Sequence, residues 1–224
     1  MKPIFDLEPN ILPITDGTGF PVRRVWCVGR NYRAHAIEMG TDPDRELPFY
    51  FAKPSDSVLP AGSTIAYPPE TEDFQHEIEL VIAIGVGGAD IPVEDAAKHV
   101  FGHAVGLDFT RRDLQLAARK AGRPWETGKA FDQCAACGPI VPGSEPLTDG
   151  AISLTVNGEA RQSSDISLLI WSVAEVVSDL SRYVRLEPGD LIFTGTPEGV
   201  GPIGRGDTLH GEIAGLPDLD VTIG

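Results

Sequence analysis

Two glutamates lie two residues apart in a segment that is typical of a β-strand. The segment 74–84 has apolar residues at a period of two, which places Glu77 and Glu79 on the face opposite Ile78 and Leu80. Two carboxylates this close repel unless a cation or a proton lies between them, and oxygen ligands suit Mg²⁺, Mn²⁺ or Ca²⁺ better than Zn²⁺. The solvent-facing side of an edge strand is the other interpretation, and the segment alone does not exclude it.

A third carboxylate ends the next predicted strand. Residues 100–109 form a mostly apolar run with Phe101, Val105 and Leu107 on one face, and Asp108 lies near its end, directly before a predicted helix. A metal held by carboxylates at strand ends would keep open positions for a substrate. A polar strand end without a ligand role remains the alternative.

Two pairs of polar residues have the i, i+3 spacing of one helix face. Arg112 and Gln115 follow Asp108 and could both reach an anion. His35 and Glu38 lie on an earlier short helix, where a carboxylate can orient an imidazole and make it a general base for water. Ordinary helix-surface polarity would also account for the first pair, and a surface ion pair for the second.

Short strands must position most of these groups. The 25 glycines and 19 prolines suit many short strands and shaped loops better than a helical bundle. Residues 25–28 and 191–194 are further predicted strands, and a glycine-rich loop follows at 195–206. Because no repeat or linker interrupts the chain, we predict a β-rich α+β fold with one catalytic domain at 24–224, behind a lead-in segment at 1–23.

The predicted helices are bounded by residues that favour helix ends. Asn31 is a candidate N-cap and Gly40 a candidate C-terminal stop for the first helix. Thr110 followed by Asp113 resembles a capping box for a later helix, which Gly122 would end. Two more helices are predicted, at residues 93–99 and 170–180.

Charge and composition limit the partners that this chain can have. The formal net charge of -15 opposes binding to nucleic acid or to an anionic membrane, so we expect neither partner. An anionic substrate would need a local cation, either a metal or clustered arginines. No segment approaches the roughly 18 apolar residues of a membrane span, and the first ten residues lack the apolar run of a signal peptide.

The three cysteines do not indicate a disulfide framework, which fits a reducing cytoplasm. Cys134 and Cys137 have the spacing of half a zinc site or of a redox pair, but no second pair completes a four-sulfur site. We therefore interpret them as small core residues.

Several motifs, taken together, resemble the fumarylacetoacetate hydrolase family. They occur in the family's order, as Gly29-Arg30-Asn31-Tyr32 with His35 and Glu38, His76 to Leu80, Leu107-Asp108 with Arg112-Asp113, Lys129 before Phe131-Asp132, and Thr194-Gly195-Thr196-Pro197 with Gly199-Val200-Gly201. The resemblance runs from about Arg24 nearly to the C-terminus. It implies a mixed β-roll fold of the β-sandwich type and a homodimer.

The resemblance also implies roles for individual residues. A divalent metal, Mg²⁺ or Mn²⁺ with Ca²⁺ as a substitute, would be held by the positions that match Glu77, Glu79 and Asp108. The other matching positions are the water-activating pair His35 and Glu38, the neighbouring catalytic residues Lys129, Arg112 and Gln115, and the substrate contacts Arg30, Tyr32 and Thr196.

Within the family, the chain resembles the short bacterial branch that lacks an extra N-terminal domain. Residues 29–39, 48–56 and 110–125 are most similar to members that hydrolyse fumarylpyruvate in gentisate-type aromatic catabolism. Acylpyruvases, oxaloacetate decarboxylases and decarboxylase/isomerases use similar metal ligands, so a 2-oxo-acid decarboxylase or isomerase is the alternative. A protein that only binds a metal or a keto acid is the alternative of another class.

The favoured activity requires water to attack a 2,4-diketo acid. We expect the metal to bind its α-keto acid end, His35 to remove a proton from water, and one of Arg112, Gln115 and Lys129 to stabilise the oxyanion. Residues 30–45 have the composition of a lid, with Arg30, Arg33 and Arg45 as candidates to bind a second carboxylate of the substrate.

Overall fold

The computed structural model describes residues 3–40 and 46–224. Strands dominate these residues, as predicted, and helices are few. The strands are β1 (Asn10–Pro13), β2 (Gly19–Val22), β3 (Arg24–Gly29), β4 (Phe49–Lys53), β5 (Val58–Pro60), β6 (Thr64–Ile65), β7 (Phe74–His76), β8 (Ile78–Ile84), β9 (Val100–Asp108), β10 (Thr110–Arg111), β11 (Ala135–Cys137), β12 (Val141–Pro142), β13 (Ala151–Val156), β14 (Glu159–Asp165), β15 (Asp190–Phe193), β16 (Gly201–Pro202), β17 (Thr208–Ile213) and β18 (Leu219–Ile223). The α-helices are α1 (Arg33–Glu38), α2 (Arg112–Lys120), α3 (Glu126–Lys129) and α4 (Val173–Tyr183), and 3-10 turns lie at Ser55–Ser57, Val93–His99 and Ile166–Leu168.

A mixed eight-stranded sheet forms the centre of the molecule. Its order is β4-β3-β15-β8-β9-β11-β5, and β12 also pairs with β9. Strands β3 and β15 are parallel, as are β5 and β11, whereas β8 is antiparallel to both β15 and β9. β8 lies between two other strands and is not an edge strand, and apolar clusters on both sides of the sheet bury its two faces. The edge-strand interpretation of Glu79 is therefore wrong.

The two faces of the large sheet bury separate apolar clusters, which gives the molecule its sandwich-like layers. On one face, Ile78, Leu80 and Ile82 of β8 pack with residues of α4 and of a second sheet, ordered β14-β13-β17-β18-β6. On the other face, Val81 and Ala83 pack with the hairpin β1–β2. The hairpin lies in the segment predicted as a lead-in, and it covers this second core.

The structure divides the predicted strand 74–84 at Glu77. Residues before it form β7, which joins the small sheet β10-β7-β16, and residues after it form β8 of the large sheet. The prediction of one continuous strand was wrong, since apolar alternation does not reveal that the chain changes sheets. The change leaves Glu77 at a junction between two sheets.

Phe101 lies on the opposite face of the sheet from the predicted one, because β9 contains a bulge. The pairing of β8 with β9 shifts between Ala83 and Ile84, so that Phe101 is the extra residue on its strand. Val105 and Leu107 lie in the cluster beside the second sheet, whereas Phe101 packs against the cluster under the hairpin. A one-residue shift moves a side chain to the other face of a sheet, which is why the alternation predicted the wrong side.

Two residues predicted as helix N-caps, Asn31 and Thr110, do not cap their helices. Helix α1 begins after Tyr32, and the amide of Asn31 instead bonds the backbone of Trp171 and of Thr194. Arg111, not Thr110, caps α2, and no side chain bonds that cap. Local spacing cannot distinguish a cap from a longer-range bond, so both predictions were wrong.

Two other helix ends agree with the sequence. Gly122, with φ of +63°, follows the last turn of α2 as predicted. Helix α4 has a capping box that joins Ser172 and Glu175, which stabilises its first turn. No helix among the described residues is long and apolar enough to cross a membrane.

Candidate active site

A pocket opens where α1, α2 and α3 meet one end of the large sheet. His35, Glu77, Glu79, Arg112 and Lys129 line it, although they come from four different segments of the chain. Gln115 and Thr196 lie in the same wall. Asp108 lies behind it, fully buried at the end of β9.

The three predicted metal ligands converge. Glu77, Glu79 and Asp108 are all buried, and one carboxylate oxygen from each lies within 4.8 Å of the other two. The backbone helps to hold them together, since the amide of Asp108 donates to the carbonyl of Glu77 at 2.8 Å. The prediction that these carboxylates share one space agrees with the structure.

Buried cations neutralise two of the three carboxylates. Lys129 Nζ lies 2.9 Å from Glu77 Oε2 and 2.9 Å from Asp108 Oδ2, and it also donates to Thr110 Oγ1 at 2.6 Å. Arg112 Nη2 donates to Glu77 Oε1. Burial opposes the charged form of Glu77, but Lys129 and Arg112 outweigh it and hold the pKa of Glu77 well below its usual range.

Lys53 is a third buried cation, and the sequence analysis did not single it out. Its Nζ lies 2.7 Å from Asp108 Oδ1 and donates to the carbonyls of Phe109, Lys129 and Cys134. Burial opposes charge on Lys53, but Asp108 outweighs it and raises the lysine pKa. A lysine at the end of an aromatic strand usually reaches solvent, so its sequence carries no signal of this role.

Glu79 is the carboxylate without a nearby cation partner. Its only hydrogen bond among the described residues comes from the amide of Gly195, at 2.8 Å to Oε2. Burial, together with the charges of Asp108 and Glu77, raises the pKa of Glu79 well above its usual range. A negative charge at Glu79 therefore needs a further positive charge in this space.

The donor set fits a hard divalent metal. All three groups are carboxylates, which suit Mg²⁺ and Mn²⁺, and the cluster opens to the pocket on the side of Glu77 and Glu79. Asp108 Oδ1 has no hydrogen-bond donor although Lys53 lies close, because the N–H groups of Lys53 are directed at carbonyls. A metal ion at this place would supply both the charge that Glu79 lacks and a partner for that oxygen.

The predicted base and its carboxylate form a pair at the pocket wall. His35 Nδ1 lies 3.1 Å from Glu38 Oε2, and the amide of Gly199 donates to Glu38 Oε1 at 3.1 Å. His35 is buried, and it lines the pocket together with Glu77 and Glu79. A carboxylate on Nδ1 keeps the proton there and leaves Nε2 free to accept one.

Gln162 is a second residue that the sequence analysis missed. It is buried on β14 and reaches the site from the second sheet, where a register shift lies beside it. Its Oε1 accepts from the amide of Ile78, and its Nε2 donates to Thr196 Oγ1 at 2.8 Å and to the carbonyl of Pro197. Because the Ile78 amide can only donate, the oxygen of Gln162 must face it. The Thr196 hydroxyl therefore accepts from Gln162 and keeps its own proton for another partner.

The predicted substrate contacts separate into two groups. Arg30 and Thr196 line the pocket, whereas Tyr32 is buried and lines a neighbouring cavity with Arg33. The structure therefore does not bring Tyr32 to the site. Arg45 lies outside the described residues, and the sequence analysis did not name Arg119, which lines the pocket.

The cysteines form no second site. All three are free and buried, and Cys134 Sγ donates to Ser57 Oγ at 3.1 Å. Burial raises the pKa of the Cys137 thiol to about 12, which keeps it protonated and unreactive.

One pocket of this sandwich holds clustered carboxylates, a histidine–carboxylate pair and buried cations. This combination is typical of a metal-dependent lyase or hydrolase. The model of the fumarylacetoacetate hydrolase C-terminal family matches residues 24–224. This chain belongs to that family, which confirms the resemblance and the fold class predicted from its motifs.

Known relatives give finer comparisons. The chain is 47% identical to a fumarylpyruvate hydrolase of a Ralstonia species over 189 residues, which cover 83% of this chain and 98% of the relative. Its sequence is 57% identical to that of fumarylpyruvate hydrolase from Pseudomonas aeruginosa, whose crystal structure was solved in complex with Mn²⁺ and pyruvate. The two structures match with a TM-score of 0.96 over 99% of both chains. A mitochondrial oxaloacetate tautomerase of Homo sapiens is 38% identical over 209 residues, covering 89% of this chain and 94% of the relative.

Proposed function

We propose that this protein hydrolyses a carbon–carbon bond of a small acylpyruvate, and that fumarylpyruvate, cleaved to fumarate and pyruvate, is its substrate. The observation that carries this proposal is the presence of a histidine–carboxylate pair and a three-carboxylate cluster in one pocket. The similarity to two fumarylpyruvate hydrolases supports the choice of acyl group. A substrate with a keto acid end would bind the cluster, and its other carbonyl would face His35.

Glu77, Glu79 and Asp108 would hold Mg²⁺ or Mn²⁺. The bound ion would supply positive charge for the keto acid oxygens and for the enolate charge of the departing pyruvate. The Mn²⁺ and pyruvate in the Pseudomonas aeruginosa relative support this assignment. Lys129 and Arg112 keep Glu77 ionised, and Lys53 and Lys129 lie against Asp108 and help to hold it in place.

His35 acts as the base in this mechanism. Glu38 accepts a hydrogen bond from Nδ1–H, so Nε2 is free to remove a proton from water, and the hydroxide adds to the carbonyl of the acyl group. The bond between that carbon and the pyruvate methylene then breaks. The carboxylic acid and the pyruvate enolate form, and a proton returns to the enolate carbon.

Gln115 is the candidate that we assign to the oxyanion, because its amide NH₂ group makes no hydrogen bond with the other described residues. The three candidates were Arg112, Gln115 and Lys129. Lys129 donates to Glu77, Asp108 and Thr110, and Arg112 donates to Gln75, Glu77 and Gln115. Arg112 has only donors, so the oxygen of Gln115 faces it at 2.5 Å and the amide NH₂ group points elsewhere. That group lies in the pocket wall and would stabilise the oxyanion.

Oxaloacetate tautomerisation is the second candidate, because relatives with that activity are 37–38% identical to this chain. It needs a base and a metal but no attacking water. Decarboxylation of a 2-oxo acid likewise needs no water. Because His35 and Glu38 activate water, hydrolysis requires them and decarboxylation does not.

A substrate screen tests the proposal. Fumarylpyruvate, acetylpyruvate and oxaloacetate are each incubated with the protein and Mg²⁺ or Mn²⁺, and pyruvate release and keto–enol exchange are measured separately. We expect pyruvate release from fumarylpyruvate to be fastest. Faster tautomerisation or decarboxylation of oxaloacetate would instead favour the second candidate, and no turnover of any compound would leave only a binding protein.

We further propose that the protein is a cytoplasmic homodimer that acts in gentisate-type aromatic catabolism, as the family resemblance implies. Light scattering on the purified protein should give about twice the chain mass of 24.0 kDa. A mass of one chain would contradict the dimer.

A further inference from the structure

Helix α2 directs three polar side chains into the pocket. Arg112, Gln115 and Arg119 are spaced i, i+3 and i+7, which places them on one face, and all three line the pocket. Seven residues of α-helix rise by about 10 Å. Since Arg112 contacts Glu77 at the inner end, Arg119 marks the outer end of the same wall.

A second arginine reaches that outer end from another element. Arg30 follows β3 with φ of +57°, a left-handed conformation that turns the chain toward α1. Its guanidinium lies 5.1 Å from the centre of the Phe49 ring. Arg30 and Arg119 line the same pocket, and burial, followed by the charge of Arg119, lowers the pKa of Arg30.

Neither arginine has a strong carboxylate partner. Arg30 Nη1 lies 3.9 Å from Glu46 Oε2, and the Glu46 side chain is 71% exposed. The side chain of Arg119 makes no hydrogen bond and no ion pair with another residue in segments 3–40 and 46–224. Two like charges at a pocket mouth, with one exposed carboxylate as a weak counter-ion among the described residues, are stabilised when an anion binds between them.

We propose that Arg119 and Arg30 together bind the distal carboxylate of the substrate, and so select acylpyruvates whose acyl group ends in an acid. This inference rests on the proposed function and names two residues for the choice of acyl group. Arg33 is exposed at the neighbouring cavity and has no place in the pair. Arg119, on α2, joins Arg30, which is one of the lid arginines named in the sequence analysis.

The dimensions and the walls of the pocket agree with such a substrate. Six carbon–carbon bonds separate the two carboxyl carbons of fumarylpyruvate, as many bonds as in two backbone residues, and these span about 7 Å when extended. The substrate is therefore shorter than the rise of about 10 Å along α2 from Arg112 to Arg119, and the Arg119 side chain reaches across the difference. Phe49, Phe51 and Trp125 line the pocket, and their rings suit the flat, conjugated fumaryl group.

The test compares two substrates that differ at the distal end. Arg119→Met and Arg30→Met are assayed with fumarylpyruvate and with acetylpyruvate, which has a neutral methyl group in place of the distal acid. We expect each substitution to lower kcat/KM for fumarylpyruvate by about 10- to 100-fold, mainly through KM, because a charge-assisted hydrogen bond is lost. The acetylpyruvate value should stay within about 2-fold, since a neutral group gains little from either charge.

Two further variants complete the experiment. Arg119→Lys keeps the charge but not the bidentate geometry, so we expect it to recover part of the fumarylpyruvate rate. Arg123→Met, an exposed arginine beyond the end of α2, is the control and should change neither substrate. Equal losses on both substrates, or no loss on fumarylpyruvate, would overturn the inference while leaving the proposed function intact. Failure of the unmodified protein to cleave either substrate would instead overturn the proposed function.

Discussion

The inner and the outer end of the pocket treat charge in opposite ways. At the inner end, Glu77 and Asp108 lie against the buried cations Lys53, Lys129 and Arg112, and the side chains involved are at most 6% exposed. At the outer end, two half-buried arginines line the pocket, and the exposed Glu46 lies 3.9 Å from Arg30. The inner end pairs Glu77 and Asp108 with cations of the protein and leaves Glu79 in need of a further positive charge, whereas the outer end carries positive charge that an anion would balance.

This difference matches the two ends of the proposed substrate. A buried ion cluster held by many internal contacts is rigid, because each lost contact leaves a charge unpaired in a low dielectric. Such a cluster suits the keto acid end that every candidate substrate shares. A half-exposed pair of arginines is easily changed without disturbing the fold, so it suits the recognition of one particular acyl group.

The largest effect is expected from the carboxylates of the inner end. Glu79→Ala, Glu77→Ala or Asp108→Ala, and removal of metal with EDTA, should each lower pyruvate release by about 10³-fold or more, because several kcal/mol of charge stabilisation are lost. Elemental analysis measures metal content beside the rate. Glu94→Ala, which removes an exposed carboxylate from the 3-10 turn, is the matched control. Full activity of metal-stripped protein would refute the metal assignment.

The base gives the next effect. His35→Ala should slow hydrolysis by about 10²- to 10⁴-fold, the usual contribution of a positioned base, and Glu38→Gln should cost less because the imidazole remains. Neither residue is one of the clustered carboxylates, so metal content should be unchanged. Hydrolysis at the normal rate in His35→Ala would move the base to another residue.

Lys53 tests whether the inner charges maintain the fold as well as the chemistry. Lys53→Met removes one of the two lysines at Asp108 and the donor to three carbonyls, so urea unfolding should show a loss of about 3–5 kcal/mol in the free energy of unfolding. The control Lys98→Met breaks an exposed i, i+3 pair with Asp95 and should cost less than about 1 kcal/mol. Similar losses for the two variants would contradict the contrast between buried and exposed charges.

Gln162 should have the smallest effect, and it sharpens the role of Thr196. Gln162→Met frees the Thr196 hydroxyl to rotate, so we expect pyruvate, as a product inhibitor, to bind about 10-fold more weakly. Thr196→Val should give a similar loss. If Gln162 acts through that hydroxyl, the double variant should be no weaker than Thr196→Val alone, whereas additive losses would indicate two independent roles.

Local pattern was enough to predict many elements and the residue types of the site. The spacing of Glu77 and Glu79 indicated a shared space, and the i, i+3 spacing of His35 and Glu38 indicated a pair. Apolar runs and periodicity located four strands of the large sheet, β3, β8, β9 and β15, and the helix α4. Each of these signals depends on neighbours within a few positions of the chain. Motif order did the rest, because it identified the family that the match over 24–224 confirms.

Only the tertiary structure showed which distant residues complete the site. Lys53 lies 55 positions from Asp108, Gln162 lies 34 from Thr196, and Arg119 faces Arg30 from another element. The two N-caps were predicted wrongly for the same reason, since the hydrogen-bond partners of Asn31 and Thr110 are also remote in sequence. The strand that divides at Glu77 likewise depends on remote partners, because its two parts join different sheets. Hydrophobic periodicity reports which face of an element is buried. Which charge or amide meets that face depends on how separate elements pack, because buried polar groups take whatever partner the fold brings within bonding distance.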